Sequence, residues 1–65
     1  MKRQLILGEI SSKVDELAVA AGLNINGYEK RPLVERVTFV GIMAKMGGDK
    51  QVADACEAWL KIIVA

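Results

Sequence analysis

The chain holds one Cys, two Ser and no His, so a side-chain catalyst would have to be assembled from Cys56 and the carboxylates. A cysteine attacks as its thiolate and needs a base or a positive environment to form it. Cys56 lies between Ala55 and Glu57 in an apolar helical stripe, with no imidazole anywhere in the sequence to activate it. A small core residue is the simpler reading. Acid–base work by paired carboxylates needs two groups aimed into one site. Asp15 and Glu16 are adjacent on an expected helix, where neighbouring side chains diverge, so a solvated face accounts for them. Gly47-Gly48 lacks the Lys-Ser/Thr continuation of a phosphate-binding loop and reads as a helix terminus. One Cys without His cannot furnish a tetrahedral zinc site. The expectation is a non-enzyme with no catalytic residues, no metal and no cofactor.

Recognition chemistry has more material. Tyr28, Lys30, Arg31, Glu35 and Arg36 cluster within a short span and form the candidate partner-binding edge. Tyr combines an apolar ring with a polar tip, and charges set register and orientation across an interface. Each has a bland counterpart: a loop Tyr folded back over the core, and an Arg31–Glu35 pair closed within one helical turn. Trp59 is most simply a core anchor, and Met43 and Met46 are gap fillers that would also suit an adaptable surface.

These residues must be held by a scaffold of 65 residues, which is one domain and no more. With 52% apolar residues and 26% charged, the sequence is too hydrophobic for disorder, and its net charge of +1 makes it neither polycation nor polyanion. A lone cysteine permits no internal disulfide. A chain this short buries only about 60% of its unfolded surface, so dense packing or self-association must supply the stability, and we expect a homo-oligomer or a protein partner. Leu5–Leu7 is too short for a signal-peptide core, and Val37–Ala44 is too short to span a bilayer. The expected setting is cytoplasmic, away from membranes.

Helical spacing defines the elements. Leu7, Ile10, Val14, Leu17 and Ala21 alternate steps of three and four, with Ile6 and Ala18 widening the stripe, so a first helix is expected over about 3–21. Gly8 weakens that pattern, and the alternative starts the helix at Ser11 or Ser12 and leaves Arg3–Leu7 as a short strand. Gly22 stops the helix, and Asn24, Asn26 and Gly27 make a turn-rich link. Pro32 suits a first helical position, opening a second helix over 32–46 that ends at Gly47-Gly48. This helix has Leu33, Val37, Val40 and Ala44 on one stripe, with Val34, Phe39, Ile42, Met43 and Met46 covering most of the remainder. Apolar residues nearly all round predict a helix covered on several sides, which a short chain cannot do alone. Val37–Val40 also has strand propensity. Asp49 caps a third helix over 49–64, carrying Val52, Ala55, Cys56, Trp59, Leu60 and Ile63. The expected fold is all-α: a compact three-helix domain that self-associates.

Three family resemblances bear on function. Glu16-Leu17-Ala18, Ala21-Gly22-Leu23-Asn24 and Tyr28 resemble the core of a helix-turn-helix, in which an Ala packs between helices, a Gly makes the turn and a polar residue opens the recognition helix. That resemblance implies a DNA-binding regulator with Asn24, Asn26, Lys30 and Arg31 facing the groove. Pro32 would cut that recognition helix short, and a charge of +1 offers few phosphate contacts. Arg3–Leu7 followed by Lys13–Ala18 and Gly22-x-Asn24 looks like the strand and first helix of the ribbon-helix-helix family, which would put Pro32 inside the second helix. Lys13-Val14, Ala20-Ala21-Gly22 and Pro32-Leu33-Val34 are spaced as in the theta-subunit family of bacterial DNA polymerase III, which implies a small helical subunit binding a proofreading subunit; the match stops before the C-terminal third. The first expectation is an adaptor, subunit or inhibitor that occupies a partner surface through its apolar helix. Nucleic-acid binding is the second.

Overall fold

The computed structural model describes the backbone of residues 2–65 and the side chains of residues 6–65. Three helices follow one another: α1 over Lys2–Ala20, α2 over Leu33–Met46 and α3 over Lys50–Val64, with a single 3-10 turn at Tyr28–Lys30. There is no strand among the described residues. The all-α three-helix fold expected from periodicity is therefore the fold the chain adopts. The short N-terminal strand is not: α1 runs unbroken through Gly8 and both serines. The Ile10–Val14–Ala18 stripe packs along the length of this helix, and that burial outweighs the roughly 1 kcal/mol that one exposed glycine costs. The strand implied by the ribbon-helix-helix resemblance falls with it, and Val37–Val40 is helical too.

The helix ends are chemically determined. Gly22 takes a left-handed φ of 71°, which lets its N–H donate to Val19 and the Leu23 N–H donate to Ala18. This double bond pattern satisfies two of the orphan carbonyls at the end of α1. Gly48, at φ 76°, repeats it for α2, where the Asp49 N–H donates to Ala44 at 2.8 Å and Gly48 donates to Lys45. Asp49 then serves a second helix, because its carboxylate accepts from the Val52 N–H at 3.2 Å and caps α3. One residue closes α2 and opens α3, so the two helices turn back on each other with almost no loop. Pro32 sits at the cap of α2 rather than in its first turn; its carbonyl accepts from both Glu35 and Arg36.

The tight turn sets up the main seam of the protein, α2 against α3. Gly41 lies there without a side chain, and a Cβ placed on it would stand 3.2 Å from the Cys56 Cβ. Small residues at this crossing let the helices approach closely and fully enclose Val37 and Cys56. Cys56 is a free, buried thiol whose pKa is pushed up by desolvation, so it stays protonated as a packed core residue should. α1 lays Ile10, Val14 and Ala18 over this pair. The fully buried side chains are Val14, Val37 and Cys56, all modest in size, while Leu7, Leu17, Tyr28, Trp59 and Leu60 pack only partly against them. Trp59 is thus a half-buried flank of the core rather than its centre.

Thickness explains where the remaining apolar residues go. The Cα envelope is 34 × 25 × 16 Å, and 16 Å accommodates about two helix layers. A two-layer slab can cover one side of α2, not its whole circumference.

Candidate functional site

The structure divides four of the five candidate partner-binding residues into two pairs with different surroundings and sets Lys30 apart in the 3-10 turn. Tyr28 and Arg36 turn towards α1 and meet on Asp15. The Arg36 Nη1 donates to both Asp15 carboxylate oxygens, at 3.0 and 2.9 Å, and the Tyr28 hydroxyl donates to Oδ1 at 3.3 Å. Arg36 retains only 15% of its side-chain exposure while Asp15 keeps 46%. The pair links the end of α1 to the start of α2, so a guanidinium is carried into the protein on a carboxylate that remains half wet. The Arg36 Nε is buried with no hydrogen-bond partner. Asp15 is therefore not simply a solvated carboxylate, as its helical neighbours suggest; its partner lies 21 residues away, beyond the reach of local periodicity.

This arrangement holds the Tyr28 phenol in its neutral form. Its pKa is raised from the ordinary value of about 10 to about 12, first by burial, then by the Asp15 charge and the hydrogen bond to it, with Arg36 working in the opposite direction. The folded state thus favours the protonated phenol. The resulting stability is fully present below the unfolded pKa of about 10 and drains away as pH rises towards 12. Absorbance at 295 nm, with one tyrosine in the chain, should report a midpoint near 12 in the native protein. Asp15→Ala should lower that midpoint while leaving the part due to burial. A native midpoint at 10 would show that Tyr28 does not engage Asp15.

The other group faces outward. Arg31 and Glu35 pair at 3.3 Å with both side chains about half exposed, and the Arg31 guanidinium lies 5.9 Å from the centroid of Phe39. An exposed pair of this kind contributes a few tenths of a kcal/mol, so it orients rather than stabilises. Glu35, Thr38, Phe39, Ile42, Lys45 and Met46 follow the three-and-four spacing of one helix face. That face is opposite the buried Val37, Val40 and Ala44. Ile42 is 51% exposed and Met46 84%. Thr38 is exposed, but its hydroxyl already donates to the Val34 carbonyl at 2.7 Å. The outer face of α2 is thus an apolar strip with charges at both ends. Composition showed a surplus of apolar positions on this helix; which of them point outward depended on where α1 and α3 settle.

Lys30 is exposed in the 3-10 turn, and Asn24 and Asn26 are exposed in the link before it. Asn24–Gly27 is loop and Tyr28–Lys30 is one 3-10 turn, so the recognition helix implied by the helix-turn-helix resemblance is not formed there. An open groove of about 740 Å³ also runs between α1 and α3, lined by Ile6, Ile10, Trp59 and Ile62 under Glu9 and Lys13. No three His, Cys, Asp or Glu side chains converge among the described residues, and none of the described helices is long and apolar enough to cross a membrane. Comparison with known proteins finds no matching family model, no matching curated protein and no matching solved structure.

Proposed function

We propose that this protein is a non-enzymatic interaction module, an adaptor, subunit or inhibitor that works by occupying a partner surface with the outer face of α2. The observation that carries this reading is the exposure of Ile42 and Met46 beside the half-buried Phe39, with the Arg31–Glu35 pair at one end and Lys45 towards the other. Apolar centres rimmed by charge are the usual anatomy of a docking patch, with burial giving affinity and the rim giving register. Tyr28 and Arg36 support the face from behind, by fixing the start of α2 against α1 through Asp15. The Cys56 thiol is enclosed and held protonated, which agrees with a packing role.

The test compares the wild type with Ile42→Glu in binding to a purified partner, obtained by affinity capture with nuclease present. A glutamate at the centre of the strip faces solvent in the free protein, so folding should be kept. Binding should fall at least a hundredfold, as it does when a central apolar anchor is lost. Equal binding by the two proteins would sink the α2 reading. Capture that vanishes once nucleic acid is digested would favour the alternative of a DNA-binding regulator.

A further inference from the structure

The distribution of charge along the outer face of α2 says what can cover it. Reading from the N-terminal end, the face presents Glu35, paired with Arg31, then the Thr38–Phe39–Ile42 strip and then Lys45. An acidic side chain stands at one end of the strip and a basic one at the other. Glu35 with Lys45 and Thr38 with Ile42 share one midpoint in the sequence, at the level of Val40. A helix of this kind is complementary to itself when reversed.

We infer that the occupant of this face is a second copy of the chain, its α2 packed antiparallel about a two-fold axis at the level of Val40. This rests on the interaction reading above and names the partner. In such an isologous contact every pair occurs twice. Glu35 meets Lys45 of the second copy and Ile42 meets its Thr38, with Phe39 and Met46 widening the apolar strip. Glu35 is already paired weakly with Arg31, while Lys45 pairs with no carboxylate among the described residues. In a parallel arrangement with matched ends, each charge would instead face its own like, so the pattern selects the antiparallel orientation.

One face of a 14-residue helix makes a contact at the small end of interface sizes, and it is expected to be weak, dissociating in the micromolar range.

Sedimentation equilibrium of the whole chain, from about ten micromolar to one millimolar, tests this directly. The wild type should pass from 7.1 kDa towards twice that mass as concentration rises. Glu35→Lys and Lys45→Glu should each remain monomeric, because each puts like charges opposite one another at two symmetric positions. An equimolar mixture of the two variants should recover the dimer, since both cross-copy pairs are again opposite in sign. The double variant Glu35→Lys/Lys45→Glu should recover it as well. Both sites are on the surface, and helicity by circular dichroism confirms that the single variants fold. A wild type that stays monomeric at one millimolar overturns the inference, as do single variants that dimerise normally or a mixture that stays monomeric. If the wild type is monomeric while Ile42→Glu still loses a different protein, the second copy is the wrong partner and α2 the right face. If Ile42→Glu changes neither, both readings fail.

Discussion

Gly41→Leu should cost at least about 3 kcal/mol and lower the melting temperature by more than about 12 °C, read by circular dichroism at 222 nm. The reason is the seam between α2 and α3. A Cβ at position 41 would already stand 3.2 Å from the Cys56 Cβ, closer than ordinary van der Waals contact. The Leu side chain extends well beyond that Cβ into the space Cys56 fills, and Cys56 is 1% exposed with nowhere to move. The helices must therefore separate, uncovering Val37 and Cys56 together. A domain of this length has only about 3–10 kcal/mol of stability in total, so the variant should lose roughly a third of it or more. Gly41→Ala makes the contrast. Its one methyl group requires α3 to yield by a few tenths of an ångström, while replacing glycine in a helix interior returns roughly 1 kcal/mol. The two effects oppose each other, and the alanine variant should melt within a few degrees of the wild type. Equal melting of the leucine variant and the wild type would mean that the seam is not closed at this crossing.

That seam also marks how far the sequence could be read. Gly22, Pro32, Gly47-Gly48 and Asp49 place the helix boundaries to within a residue, because each acts through its own backbone or cap and needs no distant neighbour. The buried stripe Ile10–Val14–Ala18 is legible for the same reason: its period is local. The outer face of α2 is not. With apolar residues nearly all round, Phe39, Ile42 and Met46 are indistinguishable by pattern from Val37, Val40 and Ala44, and only the placement of α1 and α3 decides which are covered. The Asp15–Arg36 pair is illegible on the same ground, since it joins different helices. The proposed docking face leaves the faintest trace, because such a face needs no rare residue type. The charge order on which that proposal rests can be read only once Lys45 and Glu35 are placed on one face of α2.

Asp15 and Arg36 should respond unequally to substitution, although they form one ion pair. Asp15→Ala leaves the Arg36 guanidinium, 85% buried by its 15% exposure, without its carboxylate. Its Nε already lacks a partner, and Tyr28 loses its acceptor in the same step. A buried charge deprived of its partner costs about 3–5 kcal/mol when fully enclosed; water reaching the half-exposed Asp15 side reduces this to about 2 kcal/mol, still a large share of the stability of so small a domain. Arg36→Met works the other way. It keeps an unbranched apolar stem in the same space, removes the unpartnered Nε together with the charge, and leaves Asp15 free to hydrate and to go on accepting from Tyr28. Its cost should be within about 1 kcal/mol of zero, and of either sign. Urea denaturation of the two single variants and the double variant Asp15→Ala/Arg36→Met measures all three. The double variant should be more stable than Asp15→Ala alone, because it removes the stranded charge. An Arg36→Met variant as unstable as Asp15→Ala would show instead that the pair stabilises the fold on its own account. With the predicted asymmetry, the bridge does not add net stability over an apolar contact; its contribution is to fix the direction in which α2 leaves the loop, and hence which face of that helix stays open.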